Sequence, residues 1–276
     1  MQPLNYNNSK SFFRQMEWVY VQGGIIGYIW QPFCMIDRSY NISDHHMKEI
    51  ESQSIIKEYL LFLDNKAFPC VGARAALARQ HLKCMVAEHM ACPIDDLAIL
   101  QFLYDFVDEF RNSKKTFHSA SIIFKEPKVV NEEIFDELMW KRLQALSDLD
   151  GRNYEFDKRV DKDPSSVHFS FSLKEEAFFL IGLHPASSRK ARKFKYPTLA
   201  FNPHAQFEKL KETKSYEMMK GIVRKRDIAF SGSVNPMLED FGNRSEVYQY
   251  SGRKYDNQWQ CPLSTTHATI KYNSST

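Results

Sequence analysis

The sequence predicts an α+β fold, a single domain in which a small, largely antiparallel sheet is flanked by helices. Two observations in the middle of the chain predict the sheet. Residues 167–173 alternate apolar and polar side chains with the period of a half-buried strand, and residues 177–183 form a continuous apolar run after a short polar turn. Helical periodicity before and after these segments predicts the layers that cover the sheet. A chain of 276 residues can form one large domain of this kind.

The first half of the chain is predicted to be mainly helical. Apolar residues recur at helical spacing from Asp44 to Leu63. Residues 71–90 are rich in Ala, Leu, Arg and Lys, which favour a helix. Further helices are predicted from Ile94 to Phe110 and from Asn131 to Leu146.

Strand patterns dominate the middle of the chain, and helical patterns return after them. Residues 117–124 and 196–202 have the composition of strands, and the two central segments form a predicted hairpin. Helices are predicted at 205–211 and 216–229. From residue 231 onward the chain is polar and rich in turn residues, so no regular structure is predicted there.

Composition and charge exclude several classes of function. Lys and Arg number 37 against 34 Asp and Glu, and this balance is not that of a polybasic nucleic-acid binder. No GxGxxG or GxxxxGK[ST] motif occurs, so a nucleotide phosphate site of that type is not expected. The apolar stretches are too short to span a bilayer, no secretory signal is apparent, and the five cysteines lack CxxC spacing. We therefore expect a cytoplasmic protein that binds neither nucleic acid nor membrane.

Cys70 lies between a proline and a predicted helix start, in the segment FPCVGARAAL. Backbone N–H groups and the positive end of the helix dipole stabilise a thiolate, so the pKa is expected below the usual value of about 8.5. Such a thiolate can ligate a heme iron or act as a nucleophile. The alternative is a small buried apolar side chain ahead of a helix.

His184 follows an apolar strand and precedes a basic turn, in the segment LHPASSRKARKF. A rigid scaffold often presents functional side chains at such a position. Arg189 and Arg192 are three residues apart, so on a helix they share a face and can bind a carboxylate of a heme propionate or an amino acid. A structural histidine and a solvated basic turn are the alternatives.

The tract from Gly232 to Arg253 is long, polar and aromatic, which is typical of a lid or a binding surface. It contains carboxylates and other hydrogen-bonding groups suited to a cationic substrate. We expect substrate contacts from Asn235, Glu239, Asp240, Glu246 and Tyr250. One of the three acids is expected to recognise the cation, and each of them can instead be a surface charge.

Three motifs together resemble the YqcI/YcgG family. They are FPCVGARAAL at 68–77, LHPASSRKARKF at 183–194, and the stretch that runs from PTLAFNPHAQFEKL through GSVNPMLEDFG to QYSGR. Members of that family with known activity are heme-dependent N-oxygenases that hydroxylate a guanidine nitrogen of arginine or an arginine-like amino acid. The resemblance therefore implies heme b, dioxygen or peroxide, an external reductant that acts as electron donor, and a free amino acid as substrate.

The resemblance also assigns regions and site residues. Residues 67–276 are expected to form the heme-binding region, and residues 1–66 an N-terminal helical segment of the same domain. Cys70 is the expected axial ligand and His184 the alternative ligand, and both are expected to act in catalysis. The residues expected to contact the heme are Cys70, His184, Arg74, Arg189 and Arg192.

Two other functions stay open at this point. One is a heme-binding sensor or carrier without turnover, which needs the axial ligand but no polar substrate pocket. The other is a cofactor-free cysteine enzyme in which Cys70 is the nucleophile and His184 its base.

Overall fold

A five-stranded mixed sheet organises the fold, in the order β1-β2-β5-β4-β3. The computed structural model describes residues 42–113, 115–212, 215–233, 242–256 and 258–265, all of which belong to one compact unit. β1 and β2 are parallel, and the other neighbouring strands are antiparallel. The predicted α+β class with a largely antiparallel sheet is thus confirmed. The strands are β1 (Leu82–His89), β2 (Ser119–Glu126), β3 (Phe171–Leu173), β4 (Glu176–Leu183) and β5 (Thr198–Pro203).

Helices cover both faces of the sheet. In the described part of the chain they are α1 (Ile42–Asp64), α2 (Val71–Ala78), α3 (Asp96–Asn112), α4 (Glu132–Asp150), α5 (His204–Glu212), α6 (Ser215–Ser231) and α7 (Val247–Tyr250). Short 3₁₀ turns lie at Pro93–Asp95 and Lys190–Arg192. None of the described helices combines the length and the apolar character needed to cross a membrane.

The first face of the sheet packs against α3, α4 and α7 and forms the larger core. Alternate strand residues such as Ile122, Phe178 and Phe201 are fully buried there. Burial of each such side chain contributes about 1.5–3 kcal/mol. Gly182 lets α4 approach closely, because a Cβ at this position would lie 2.5 Å from Cε1 of Phe135.

The second face packs against α1, α2 and the chain around the 3₁₀ turn Lys190–Arg192. Tyr59 and Leu63 of α1 join Phe68, Leu183 and Phe194 in a smaller apolar cluster. The cluster covers one end of this face. Toward α5 and α6 the packing leaves a cavity above the sheet, and this cavity is the candidate site.

Most predicted elements are confirmed, including five of the helices and the β3–β4 hairpin, but the helix predicted over residues 71–90 is wrong. The chain leaves α2 after Ala78, turns at Gln80 with φ 59°, and continues as strand β1. Pairing with β2 outweighs the helix propensity of this segment. Strand β3 is shorter than predicted, and α7 lies in the tract for which no regular structure was predicted.

Candidate functional site

A cavity of about 310 Å³ lies between the second face of the sheet and the helices α1, α2, α5 and α6. Its volume is in the range of small-molecule sites. Apolar side chains such as Leu63, Ile181 and Ala200 form much of the wall. The structure brings four of the predicted site residues to this wall, namely Cys70, Arg189, Arg192 and Glu246.

Cys70 caps the N-terminus of α2 and lines the cavity. Its Sγ accepts a hydrogen bond from the backbone N–H of Ala73 at 3.4 Å. The predicted fall in the pKa of Cys70 is nevertheless wrong for the protein without a bound ligand. Burial raises the pKa of Cys70, and the N–H groups of Ala73 and Gly72 offset only part of that rise. Cys70 is therefore a protonated thiol at neutral pH, and a metal ion that binds it must displace the proton.

An arginine of α6 fixes the loop that leads into Cys70. The guanidinium group of Arg226 donates to the carbonyl of Phe68 from Nε at 3.2 Å and from Nη2 at 3.0 Å. The same group also donates to the carbonyl of Lys66. Through these bonds α6 sets the position of the thiol relative to the cavity.

Arg192 and Arg189 connect the Lys190–Arg192 turn region to α7 and α6, respectively. Arg192 is buried, and its guanidinium group donates to the carbonyls of Tyr250 at 2.8 Å and Gln249 at 2.7 Å. Arg189 forms an ion pair with Asp227 of α6 at 2.7 Å. The structure thus assigns both arginines an internal role, whereas the sequence predicts a pair that binds an external carboxylate.

His184 does not line the cavity. Its ring is buried on the first face of the sheet, stacked on Phe135 with 4.3 Å between the ring centroids. Burial lowers its pKa to about 4, so the imidazole is neutral. The predicted use of His184 as ligand or base stays a prediction that this arrangement does not support.

The other predicted residues lie in different places. Arg74 follows Cys70 by one turn of α2, and its Nε is buried without a hydrogen-bond partner. Tyr250 is buried behind the cavity wall, where its hydroxyl donates to Glu246 at 3.3 Å. Asn235, Glu239 and Asp240 lie outside the described residues.

Glu246 is a buried carboxyl group at the polar end of the cavity. Its Oε2 accepts hydrogen bonds from the hydroxyls of Ser170 at 2.8 Å and Tyr250 at 3.3 Å. Burial raises its pKa to about 8, and these two hydrogen bonds act in the opposite direction. Glu246 therefore holds a proton at neutral pH unless a cation lies beside it.

Several cavity residues were not predicted from the sequence. His204 and Gln206 of α5 and Lys220 and Arg224 of α6 all line the wall. His204 comes directly after strand β5, just as His184 comes directly after β4, so the same positional argument applied to both histidines. The α6 residues reach the cavity only through tertiary packing, which the sequence pattern does not disclose.

The side chains that line the cavity were compared with what a bare metal ion and a heme would each need. Among the described residues, no group of three or more His, Cys, Asp or Glu side chains is placed to hold a metal. A heme needs a single protein donor, and Cys70 supplies one beside an apolar wall. Arg74, also predicted to contact the heme, does not line the cavity. Cys70 is thus the cavity residue that would ligate the iron if heme were bound.

Comparison with known proteins places the chain among bacterial relatives. It is 27% identical over 225 residues to the Bacillus subtilis (strain 168) protein YqcI, an alignment that covers 78% of this chain and 87% of the relative. It is 26% identical over 215 residues to YcgG of the same organism, covering 73% of this chain and 82% of the relative. Both relatives are described as uncharacterized, and no solved structure matches. The model of the YqcI/YcgG family matches residues 57–264, most of the sequence, and the chain therefore belongs to the YqcI/YcgG family.

Proposed function

We propose that this protein is a heme-dependent N-oxygenase that hydroxylates a nitrogen of a small amino acid, with the guanidine nitrogen of arginine or an arginine-like substrate favoured. One observation carries the proposal: the thiol of Cys70 and the buried carboxyl group of Glu246 line the same cavity. The first is a heme ligand and the second is a partner for a cation. The resemblance of the sequence motifs to known heme-dependent N-oxygenases supports the same assignment.

Cys70 is the proposed axial ligand. Heme held by this thiolate would supply the activation of dioxygen, with electrons from an external donor. The backbone N–H groups of Gly72 and Ala73 stabilise the negative sulfur once the proton is gone.

Glu246 is the proposed partner of the substrate cation. A guanidinium group beside it drives the carboxyl group to ionise, and the resulting charge-assisted hydrogen bonds contribute about 1.5–3 kcal/mol each. Ser170 and Tyr250 hold the carboxylate in place through Oε2, so Oε1 is directed to other partners. Lys220, which pairs with Glu217 at 2.8 Å, and Arg224 also line the α6 wall, and an α-carboxylate bound there would have to share them with their present partners.

The two alternative functions receive less support from the geometry. A cofactor-free cysteine enzyme needs a base beside Cys70, but His184 lies on the other face of the sheet and the pKa of the thiol is raised. A heme sensor or carrier does not need a buried acid in the heme cavity. Glu246 therefore favours turnover of a cationic substrate.

Absorption spectroscopy tests the heme and its ligand. We expect protein from heme-sufficient cells to carry a Soret band, and its reduced carbon monoxide complex to show the strongly red-shifted band of a thiolate ligand. Cys70→Ser should lose this band, whereas Cys84→Ser, a free cysteine on β1, should keep it. A histidine-type spectrum that survives in Cys70→Ser and disappears in His184→Ala would reverse the ligand assignment.

Turnover tests the reaction. Heme-loaded protein, a reductant, oxygen and a panel of amino acids are incubated, and mass spectrometry searches for products that have gained one oxygen atom. We expect product from a guanidine-bearing amino acid and a large loss of it in Glu246→Gln. Full heme loading without any oxygenated product would favour the sensor or carrier function.

A further inference from the structure

Glu208, His204 and Glu246 form a line of titratable groups that runs from the surface to the cavity. Nε2 of His204 lies 3.2 Å from Oε1 of Glu208, and Nδ1 of His204 lies 3.7 Å from Oε1 of Glu246. The exposed fraction of the side chain falls from 51% at Glu208 to 9% at His204 and 6% at Glu246. The imidazole is therefore placed between an exposed carboxylate and a buried carboxyl group.

The local fold creates this line. β5 ends at Pro203 and His204 begins α5, so the imidazole lies at the cavity wall where the strand stops. Glu208 is one helical turn further along and shares the face of His204. Glu246 arrives from the segment before α7, and its Oε2 is already held by Ser170 and Tyr250.

The protonation states of Glu208, His204 and Glu246 allow a proton to pass along the line in either direction. Burial lowers the pKa of His204, against the effect of Glu208, so the ring is neutral and can accept a proton at one nitrogen while it donates from the other. Lys211 donates to Glu208 at 2.8 Å and keeps that carboxylate ionised. The positive charges of Lys211 and Arg159 also lower the pKa of His204.

We propose that Glu208, His204 and Glu246 form a proton relay between solvent and the cavity. In the resting state the ring carries its proton on Nε2, beside the ionised Glu208, and Glu246 holds the second proton. When a cation binds, a small movement of either side chain closes the 3.7 Å gap, Oε1 of Glu246 passes its proton to Nδ1 of His204, and the ring releases its Nε2 proton to Glu208, which gives it to water. The reverse sequence carries a proton from water through Glu208 and His204 back to Glu246.

The relay provides a source for the protons that the proposed N-oxygenase reaction consumes. This catalytic role rests on the proposed function. Insertion of one oxygen atom from dioxygen into an N–H bond consumes two electrons from the external donor and two protons, and releases one water molecule. The path through His204 is a property of the chain itself and can be tested without any turnover.

Infrared spectroscopy after a rapid pH jump tests the relay on the purified full-length protein. The band of the protonated Glu246 carboxyl group is identified by its loss in Glu246→Gln, and its rate of change after the jump is followed. We expect His204→Phe and His204→Gln to slow this rate on the order of tenfold or more, and Glu208→Gln to slow it several-fold. Glu212→Gln, an exposed acid of the same helix, should leave the rate unchanged.

Two results would overturn the relay. One is an unchanged exchange rate in both His204 variants, after circular dichroism and thermal melting have shown that at least one of them is folded. The other is the absence of any protonated carboxyl band that depends on Glu246. Because neither measurement involves heme or a substrate, a failed relay leaves the N-oxygenase proposal standing, and a protein without heme leaves the relay result valid.

Discussion

The raised pKa of Glu246 allows the contribution of one buried carboxyl group to protein stability to be measured. Its pKa is about 8 in the folded protein against an ordinary value of 4.5, so the folded state binds this proton more tightly than the unfolded state. The stability that this proton provides is fully present below pH 4.5 and is lost as the pH rises through 8. We therefore expect Glu246→Gln, which does not titrate, to gain a few kcal/mol relative to the wild type between these pH values.

Urea denaturation of both proteins at several pH values across this window measures the difference. The two proteins share their other titrating groups, including His184, so those contributions cancel in the comparison. Parallel loss of stability in the wild type and the variant would contradict the raised pKa.

Arg192 gives a prediction that separates an internal role from a ligand-binding role. Arg192→Met removes the guanidinium donors of the Gln249 and Tyr250 carbonyls, and we expect a loss of about 2–4 kcal/mol in the free energy of unfolding. Lys190→Met, an exposed residue of the same turn, is the control and should change little. An unchanged melting temperature together with weaker heme or amino-acid binding would instead support the predicted carboxylate site.

Part of the candidate site is predictable from local sequence patterns. Cys70 and Glu246 were predicted because a cysteine before a helix and an acid in a long polar tract have local signatures. His204 carried the same strand-end signature as His184, and only the fold distinguishes the two. Which of them faces the cavity depends on the alternation of side chains across the sheet, which a one-residue change of register reverses.

Among the structural elements, the segment Leu82–His89 is the one for which local and nonlocal preferences disagree. Its residues are compatible with a helix, but parallel pairing with β2 makes it an edge strand. Elements with strong periodicity or clear caps, such as α4 with Asn131 at its N-cap, were predictable. α7 contains only four residues, too few for a periodic pattern to appear.

The contact between α6 and the Cys70 loop gives a prediction at this scale. Arg226→Ala removes the bonds to the carbonyls of Lys66 and Phe68, so the loop should open more often. We expect Cys70 to react several-fold faster with iodoacetamide than in the wild type, as measured by peptide mass spectrometry. The neighbouring exposed residue provides the control Lys225→Ala, and equal rates in the two variants would show that Arg226 does not restrain the loop.

In the described part of the chain, one face of the sheet is densely packed and the other borders a cavity. Hydrogen exchange should therefore be slowest in β2, β5 and α4 and faster in α5 and α6. Added hemin should slow exchange in α5, α6 and the Phe68–Ala78 region and leave α3 unchanged, because a ligand stabilises the elements that contact it. Mass spectrometry of peptides with and without hemin measures this, and uniform protection across the molecule would contradict a site between these helices.

The order of the elements along the chain has a consequence for how the cavity is assembled in the cell. α1, α2 and all five strands precede α5, α6 and α7. During translation the ribosome therefore delivers the wall that carries Cys70 and the sheet before it delivers the helices that close the cavity and the segment that carries Glu246. Until α5 and α6 have been synthesised and folded, this wall lacks the helices that cover it in the finished protein.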